Sequence, residues 1–362
     1  MRVLLLCYEY PPLGGGTGRA LASLLKEFQS FNVEMDIIAS TMSQRRAVQV
    51  SPNITLHALC SAGKNPHFQS YQNLLSFFPK ARHTAKKLCS HRKFHCCHVF
   101  GAFPSGPATL GLGLPIIISL RGSDVPGFNE RFKVIEMMGL QSLSKYLWAK
   151  AHRVIANSEH LRLLAQKTSS RHIDVIPNGV DTVLFTPRKR LKKGLLKVLC
   201  VSRLITRKNI VVLIDACRGL SCEVSIVGSG PLEASLKARA ASKNVSVAFL
   251  GRIPWNLMSQ VYQDHDVFVL PSKNEGMSNA LLEAMACGLP VIVSSASKTG
   301  LVSDHRFIAD SVVDLRASIA SLIKSPLLRL QLGRESRRIA CSLSWKSVAE
   351  QYYKVYKEVS CE

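Results

Sequence analysis

The chain reads as an α/β protein built from two doubly wound parallel sheets, on three observations. Short apolar runs alternate with helical periodicity up to about residue 177, the alternation restarts after residue 196, and a Pro/Gly-rich loop follows the first run. That first run, Val3 to Cys7, is short and meets Glu9 and Pro11-Pro12 with no cleavage-like site, so it reads as a buried strand rather than a secretion signal. A helix from about Thr17 to Phe28 and a strand near Val33 to Ala39 complete a βαβ opening. Buried runs at Cys96 to Phe100, Ile116 to Leu120, Val154 to Ala156 and Asp174 to Ile176 continue the series as far as Pro177-Asn178-Gly179. The second series is Lys197 to Val201, Glu223 to Val227, Ser246 to Leu250, Val267 to Leu270 and Val291 to Ser294. Ser311 and Asp314 then have capping-box spacing for a helix through Lys324. At 362 residues and 47% hydrophobic content the chain suits two globular domains, divided near residue 185 as 1–185 and 186–344.

Composition narrows the function classes. The cysteines are scattered without a CxxC, which fits reduced thiols in a cytosolic setting, and no apolar run approaches membrane-spanning length. The net charge of +23 admits nucleic acid, an anionic membrane surface or a phosphate-bearing substrate as partner. No recognisable RNA or DNA module accompanies it, so nucleic acid is not expected. The cluster Arg188-Lys189-Arg190 with Lys192-Lys193 reads as a solvated linker. Leu74, Leu75, Phe77 and Phe78 precede Lys80, Arg82, Lys86, Lys87, Arg92 and Lys93. That order suits an amphipathic element whose aromatics enter lipid while its cations meet headgroups, or a core-packed helix with a wet basic face; Pro79 interrupts the pattern.

The most informative stretch runs from Asn274 to Pro290. It follows the apolar run Val267 to Leu270 and places Glu275 in a loop, a Ser278 or Asn279 cap, and Glu283 in the first turns of a helix stopped by Gly288 and Pro290. Two carboxylates at the carboxyl end of a parallel strand, beside helix N-terminal N–H groups, suit a ligand with both phosphate and hydroxyls, such as a nucleotide sugar. The plain alternative is a pair of helix N-terminal acids that complement the dipole. Arg203 and Lys208, after the first strand of the second series, are solvated loop cations in isolation, or a bidentate fork and a point charge able to neutralise a diphosphate. The glycine clusters fail the dinucleotide fingerprint: Arg19 stands where Gly14-Gly15-Gly16 needs its third glycine, and Pro231 follows Gly228-Ser229-Gly230. Gly14 to Gly16 reads as a phosphate- or sugar-facing loop, with a contact-free turn as the alternative.

The Asn274 to Pro290 segment resembles the paired-glutamate signature of retaining glycosyltransferases of family 4. The wider chain agrees in family order through EYPPLGGG, SLRGSDVPGF, VIANS, VIPNGVDTVLFTP, VSRLITRKNI, IVGSGP, VAFLGRIP and SWKSVAEQYYKVY. The resemblance implies the GT-B fold, two Rossmann-like domains facing a central cleft, with 1–185 on the acceptor side, 186–344 binding the nucleotide sugar, and a final helix from Trp345 packing back on the first domain. It implies Arg203 and Lys208 on the donor diphosphate, Glu275 with the Gly276-Met277-Ser278 backbone facing the transferred sugar, Glu283 on the ribose, and Arg252-Ile253 beside the base. Gly15 and Gly16 join the donor-binding set.

On the acceptor side, Arg121-Gly122-Ser123-Asp124 matches a motif that more often begins with histidine. Arg121 contributes charge there but does not serve as a base. Asp124 is an acceptor-side hydrogen-bonding group or simply a loop cap. Cys89, His91, His95, Cys96, Cys97 and His98 bunch together, yet fit no standard zinc spacing, and the segment resembles a family strand whose buried valines Cys96 and Cys97 replace. No metal or cofactor is implied; the nucleotide sugar is a co-substrate. The expected activity is retaining sugar transfer to a lipid-linked or cell-surface glycan precursor, as in polysaccharide or lipopolysaccharide biosynthesis, in the cytoplasm or at the inner face of the plasma membrane. Residues 294–310 are shorter than the family's donor-holding loop, with Lys298-Thr299-Gly300 its remnant. A non-catalytic nucleotide-sugar-binding relative and a GT-B nucleotide-sugar epimerase therefore stand as alternatives.

Overall fold

The structure, a computed structural model, describes residues 1–42, 46–63, 69–129, 139–188, 194–297, 301–302 and 304–361. Two units divide it: Met1–Asn178 with Trp345–Glu362, and Gly179–Ser344. The division lies at Asn178/Gly179 rather than near 185. Val180 donates to Leu343 O at 2.8 Å, and its side chain and that of Phe185 are buried in the second unit's core, so this segment is spent there.

Among the described residues the first unit has an eight-stranded sheet. Its strands are β1 (Arg2–Cys7), β2 (Glu34–Thr41), β3 (Arg46–Ser51), β4 (Ile54–Cys60), β5 (Cys96–Phe100), β6 (Ile116–Leu120), β7 (Arg153–Ala156) and β8 (Asp174–Val175). They lie in the order β3-β4-β2-β1-β5-β6-β7-β8, parallel except for β3 against β4. Sequence reading missed β3 and β4. They form a hairpin at the sheet edge with exposed and half-buried positions, and so lack the continuous apolar run that marks β1 or β6. The helix Gly16–Phe28 buries Leu21, Leu24, Leu25 and Phe28 at helical spacing against the sheet and against the final helix, Trp345–Cys361. That final helix is further fixed by a buried polar chain. Tyr356 Oη lies 2.7 Å from His98 Nδ1, His98 Nε2 lies 2.8 Å from Ser119 Oγ, and Ser119 lies 3.0 Å from Tyr352 Oη.

The second unit is a five-stranded parallel sheet of β9 (Leu196–Val201), β10 (Cys222–Val227), β11 (Val247–Gly251), β12 (Val267–Leu270) and β13 (Val291–Val293), among the described residues. The order is β11-β10-β9-β12-β13. Apolar side chains leave both faces of β9 and β12, Val198 and Val267 into one core and Leu199 and Phe268 into the other, which is why these strands read as unbroken apolar runs. The expected capping box forms, Ser311 Oγ accepting from Asp314 N at 3.1 Å at the start of the helix Val312–Lys324.

Candidate active site

In the second sheet β9 has β10 on one side and β12 on the other, so the winding reverses between β9 and β12. Open α/β sheets bind ligands beyond the carboxyl ends of their strands at such a point. The segment after β9 carries Arg203, Arg207 and Lys208, and the loop after β12 carries Glu275. Lys208 and Glu275 form an ion pair whose side chains are only 11% and 12% exposed. Arg207, which sequence reading passed over, ties the two segments together: its Nη1 donates to Asn274 O at 2.7 Å, and its own carbonyl accepts from Lys273 N at 2.9 Å. The signal for it was its place between Arg203 and Lys208 in one short cationic run.

Positive charge is in excess here. Burial alone would raise the Glu275 carboxyl, but the charges of Lys208 and Arg207 outweigh it and hold it below its ordinary value. Burial holds Lys208 below its ordinary value against the pull of Glu275, and Arg207 is lowered by burial and by Arg203 as well. Arg203 is exposed, and its guanidinium has no side-chain partner among the described residues. Two cations on Glu275, with Arg203 close enough to Arg207 and Lys208 to act on both, favour the arrival of further negative charge.

Glycines set the position of Arg203. A Cβ on Gly228 would lie 1.9 Å from Ser202 O, and one on Gly230 would lie 2.4 Å from Leu204 O. The bare backbone of 228–230 therefore packs directly on the strand end that carries Arg203, joined by Leu204 N to Ser229 O at 3.1 Å. Arg252, exposed, donates from Nε to Ser229 Oγ at 2.6 Å, and Ile253 packs half-buried on the core.

The helix Asn279–Ala286 is capped by Ser278, whose Oγ accepts from Leu281 N at 3.3 Å. Ser278 and the buried Met277 thus leave backbone rather than side chain for a ligand, as does Gly276. Glu283 is buried on the second turn, where its Oε2 accepts from Tyr262 Oη at 2.8 Å and its Oε1 from Trp255 Nε1 at 3.1 Å. Neither ring was anticipated; fixing a buried carboxylate is work that no local pattern announces. After β13, Ser294 Oγ donates to Ser272 O at 2.5 Å and Ser295 N to Asp310 at 2.8 Å. Lys298-Thr299-Gly300 and Lys189 to Lys193 lie outside the described residues.

In the first unit, Gly14 takes φ +90° and a Cβ there would meet the Glu9 carboxylate at 2.5 Å. Glu9 Oε2 accepts from Gly15 N at 3.1 Å, so the start of the helix at Gly16 already has an acid of the chain's own beside it. Of its two readings, Asp124 has the geometry of the loop cap. It is buried, and its oxygens accept from Ala102 N at 2.7 Å, Arg121 N at 2.9 Å and Gly122 N at 2.7 Å, which makes it the cap of the Arg121 loop. Arg121 follows β6 with its guanidinium 4.3 Å from the centre of the Phe100 ring and an Nη2 bonded to Asn178. Cys96 and Cys97 are buried in β5. The helix Tyr71–His91 contains Pro79 and buries Leu74 and Phe77 in the core, leaving Leu75 exposed with Lys80, Lys86 and Lys87. Phe77 therefore does not serve as a lipid-facing aromatic. No helix of the described residues is long and apolar enough to cross a membrane.

Two family models cover this architecture in tandem: Glycosyltransferase Family 4 matches residues 14–184, and Glycosyl transferases group 1 matches residues 185–339. The chain belongs to the group 1 glycosyltransferases. Among curated relatives of this family, an uncharacterized glycosyltransferase of Methanocaldococcus jannaschii is 25% identical over 99% of both chains. A GDP-mannose-dependent monoacylated alpha-(1-6)-phosphatidylinositol monomannoside mannosyltransferase of Corynebacterium glutamicum is 29% identical over 49% of this chain and 54% of its own length, so the match spans about half of that protein. Among solved structures, Anabaena HepE in complex with UDP-glucose superimposes with a TM-score of 0.75 at 18% identity, covering 99% of this chain and 100% of that one. The fold is thus the GT-B fold of this glycosyltransferase family.

Proposed function

We propose that the chain is a retaining glycosyltransferase that moves a sugar from a nucleoside-diphosphate sugar to a lipid-linked or cell-surface glycan precursor, without a metal ion. The observation that carries this reading is the excess of Arg203, Arg207 and Lys208 over Glu275 at the β9/β12 reversal, around the enclosed Lys208–Glu275 pair. A diphosphate is the ligand that such a cluster neutralises, and Arg203 offers it a planar fork. Glu283, held by Tyr262 and Trp255, accepts hydrogen bonds from ribose hydroxyls, with Arg252 and Ile253 beside the base. Glu275 and the backbone at 276–278 face the sugar. The Corynebacterium relative, GDP-mannose-dependent and named for a phosphatidylinositol monomannoside, supports both halves of the reading.

The chemistry follows from where charge develops. The bond from the anomeric carbon to the phosphate oxygen breaks with its electron pair staying on the phosphate, the sugar becomes oxocarbenium-like, and the cations bind the departing diphosphate more tightly than the intact donor. The acceptor hydroxyl bonds to the same face and gives its proton to the leaving phosphate oxygen, so the configuration is kept and no protein nucleophile is consumed. The first unit is the acceptor side in this reading. The enzyme then works at the cytoplasmic membrane face through Lys80, Lys86 and Lys87 rather than Phe77.

The test is a screen of UDP-, GDP- and ADP-sugars for nucleoside-diphosphate release with anionic lipid extract as acceptor, with the product's anomeric configuration read by NMR. Acceptor-dependent release with retention, lost in Glu275→Ala and Lys208→Ala, is expected. Binding without release would favour a non-catalytic relative, and an inverted product would remove the retaining mechanism.

A further inference from the structure

We propose that Arg207 is a positioning residue of the transfer reaction, holding Glu275 in place and ionised while Lys208 turns to the donor's diphosphate. The inference rests on the glycosyltransferase reading above and adds to it a residue that acts through Glu275 rather than on the donor itself.

Lys208 and Glu275 come from segments far apart in the sequence, and Arg207 fixes one segment to the other. Residues 206–208 form a 3-10 turn after β9, closed by Lys208 N to Ile205 O at 2.9 Å and Asn209 N to Thr206 O at 3.1 Å. Asn209, at φ +53°, leads straight on into the helix Ile210–Cys217. From the middle of this turn Arg207 grips the loop after β12 twice. Its Nη1 donates to Asn274 O at 2.7 Å, and its carbonyl accepts from Lys273 N at 2.9 Å. Glu275 is the next residue along, and Ser278 caps the following helix, so the loop is held on both sides of the carboxylate.

Charge supplies the second half of the argument. The Glu275 side chain is only 12% exposed, and a carboxylate so enclosed takes up a proton unless cations oppose it. Lys208 and Arg207 are the charged groups that act on it, with Arg203 acting on both of them. Lys208 is also the residue that the donor's phosphates draw on. An ammonium has three N–H groups on one small centre, so each bond it gives to phosphate weakens its hold on Glu275. Arg207 makes no such exchange, because its guanidinium is bonded to a backbone carbonyl of the same loop. Its charge therefore stays beside Glu275 as the diphosphate binds and departs, and the enclosed carboxylate is never left without a cation.

The test compares wild type with Arg207→Met and Arg207→Lys, read as the pH profile of kcat for nucleoside-diphosphate release and as UDP, GDP and ADP affinity by calorimetry. Arg207→Met should lower kcat on the order of 10- to 100-fold, the cost of a site group displaced by about 1 Å, while diphosphate affinity stays within about threefold. Removing a cation raises the carboxyl, so the acidic limb of kcat should move to higher pH in Arg207→Met and return toward wild type in Arg207→Lys, which keeps the charge. A loss of kcat with the limb unmoved would make Arg207 a structural residue only and overturn the proposal, as would wild-type turnover in Arg207→Met. A loss of diphosphate affinity of about tenfold in Arg207→Met would overturn it in favour of direct phosphate contact. Should Arg207→Met unfold, Arg207→Gln takes its place, neutral but still able to donate to Asn274 O. Wild type that binds a diphosphate yet releases none from any nucleotide sugar would count against the glycosyltransferase reading instead. Amide exchange across residues 271–278 then judges Arg207: Arg207→Met should speed it about tenfold, and unchanged exchange would overturn its hold on the loop.

Discussion

Gly230→Ala should disable the donor site without touching any charged group. The new Cβ would stand 2.4 Å from Leu204 O and 2.8 Å from Leu204 N, about 1 Å short of the 3.4 Å at which ordinary contact begins. Both neighbours are backbone, and Leu204 N is bonded to Ser229 O at 3.1 Å, so neither side yields by rotating a side chain. The strand end that carries Arg203 must shift by roughly that 1 Å, a misplacement that costs on the order of 100-fold in turnover, or about 2.7 kcal/mol of barrier. The assay is kcat/KM for the donor together with nucleoside-diphosphate affinity by calorimetry, with far-UV circular dichroism to confirm that Gly230→Ala folds. A folded Gly230→Ala protein with wild-type affinity and turnover would refute the placement of Arg203 on the diphosphate.

Lys208→Ala should lose stability toward the lower end of the about 3–5 kcal/mol typical of a broken buried pair, because Arg207 remains near Glu275; adding Glu275→Gln should restore part of it in urea unfolding. Tyr262→Phe should weaken nucleotide binding by roughly 3- to 10-fold in calorimetry, since Glu283 Oε2 loses a 2.8 Å donor and its orientation with it. His98 sets an acid limit. It is buried and neutral, pushed down to about 3 when folded, so below pH 6.5 the unfolded chain binds a proton that the folded chain refuses, and stability must rise with pH across that window. Between pH 7 and pH 5 this single group should cost about 2 kcal/mol, at about 1.4 kcal/mol per unit. Urea midpoints should show the difference in wild type and lose most of it in His98→Gln.

Much of this was legible in the chain. Parallel strands buried on both faces, such as Val267 to Leu270 or Ile116 to Leu120, write themselves as unbroken apolar runs, so their existence and order could be read. The edge hairpin β3-β4 could not, because its strands are partly exposed and resemble loop composition. Charged site residues were visible wherever they sit beside a strand end, as Arg203, Lys208 and Glu275 do. Their supports were not: Arg207 acts through a carbonyl 67 residues away, and Tyr262 and Trp255 reach Glu283 across 21 and 28 positions. The two readings of Asp124 could not be separated for the related reason that spacing identifies a carboxylate but not the backbone N–H groups that occupy it.

The most direct measurement is calorimetric titration of UDP, GDP and ADP into wild type, Arg203→Ala and Lys208→Ala at two salt concentrations. At least one diphosphate should bind wild type, more weakly at high salt, and lose tenfold or more in each variant, as expected for charge-assisted contacts worth about 1.5–3 kcal/mol. A diphosphate that binds all three proteins equally, or none of them, would contradict the assignment of the β9/β12 reversal as the donor site.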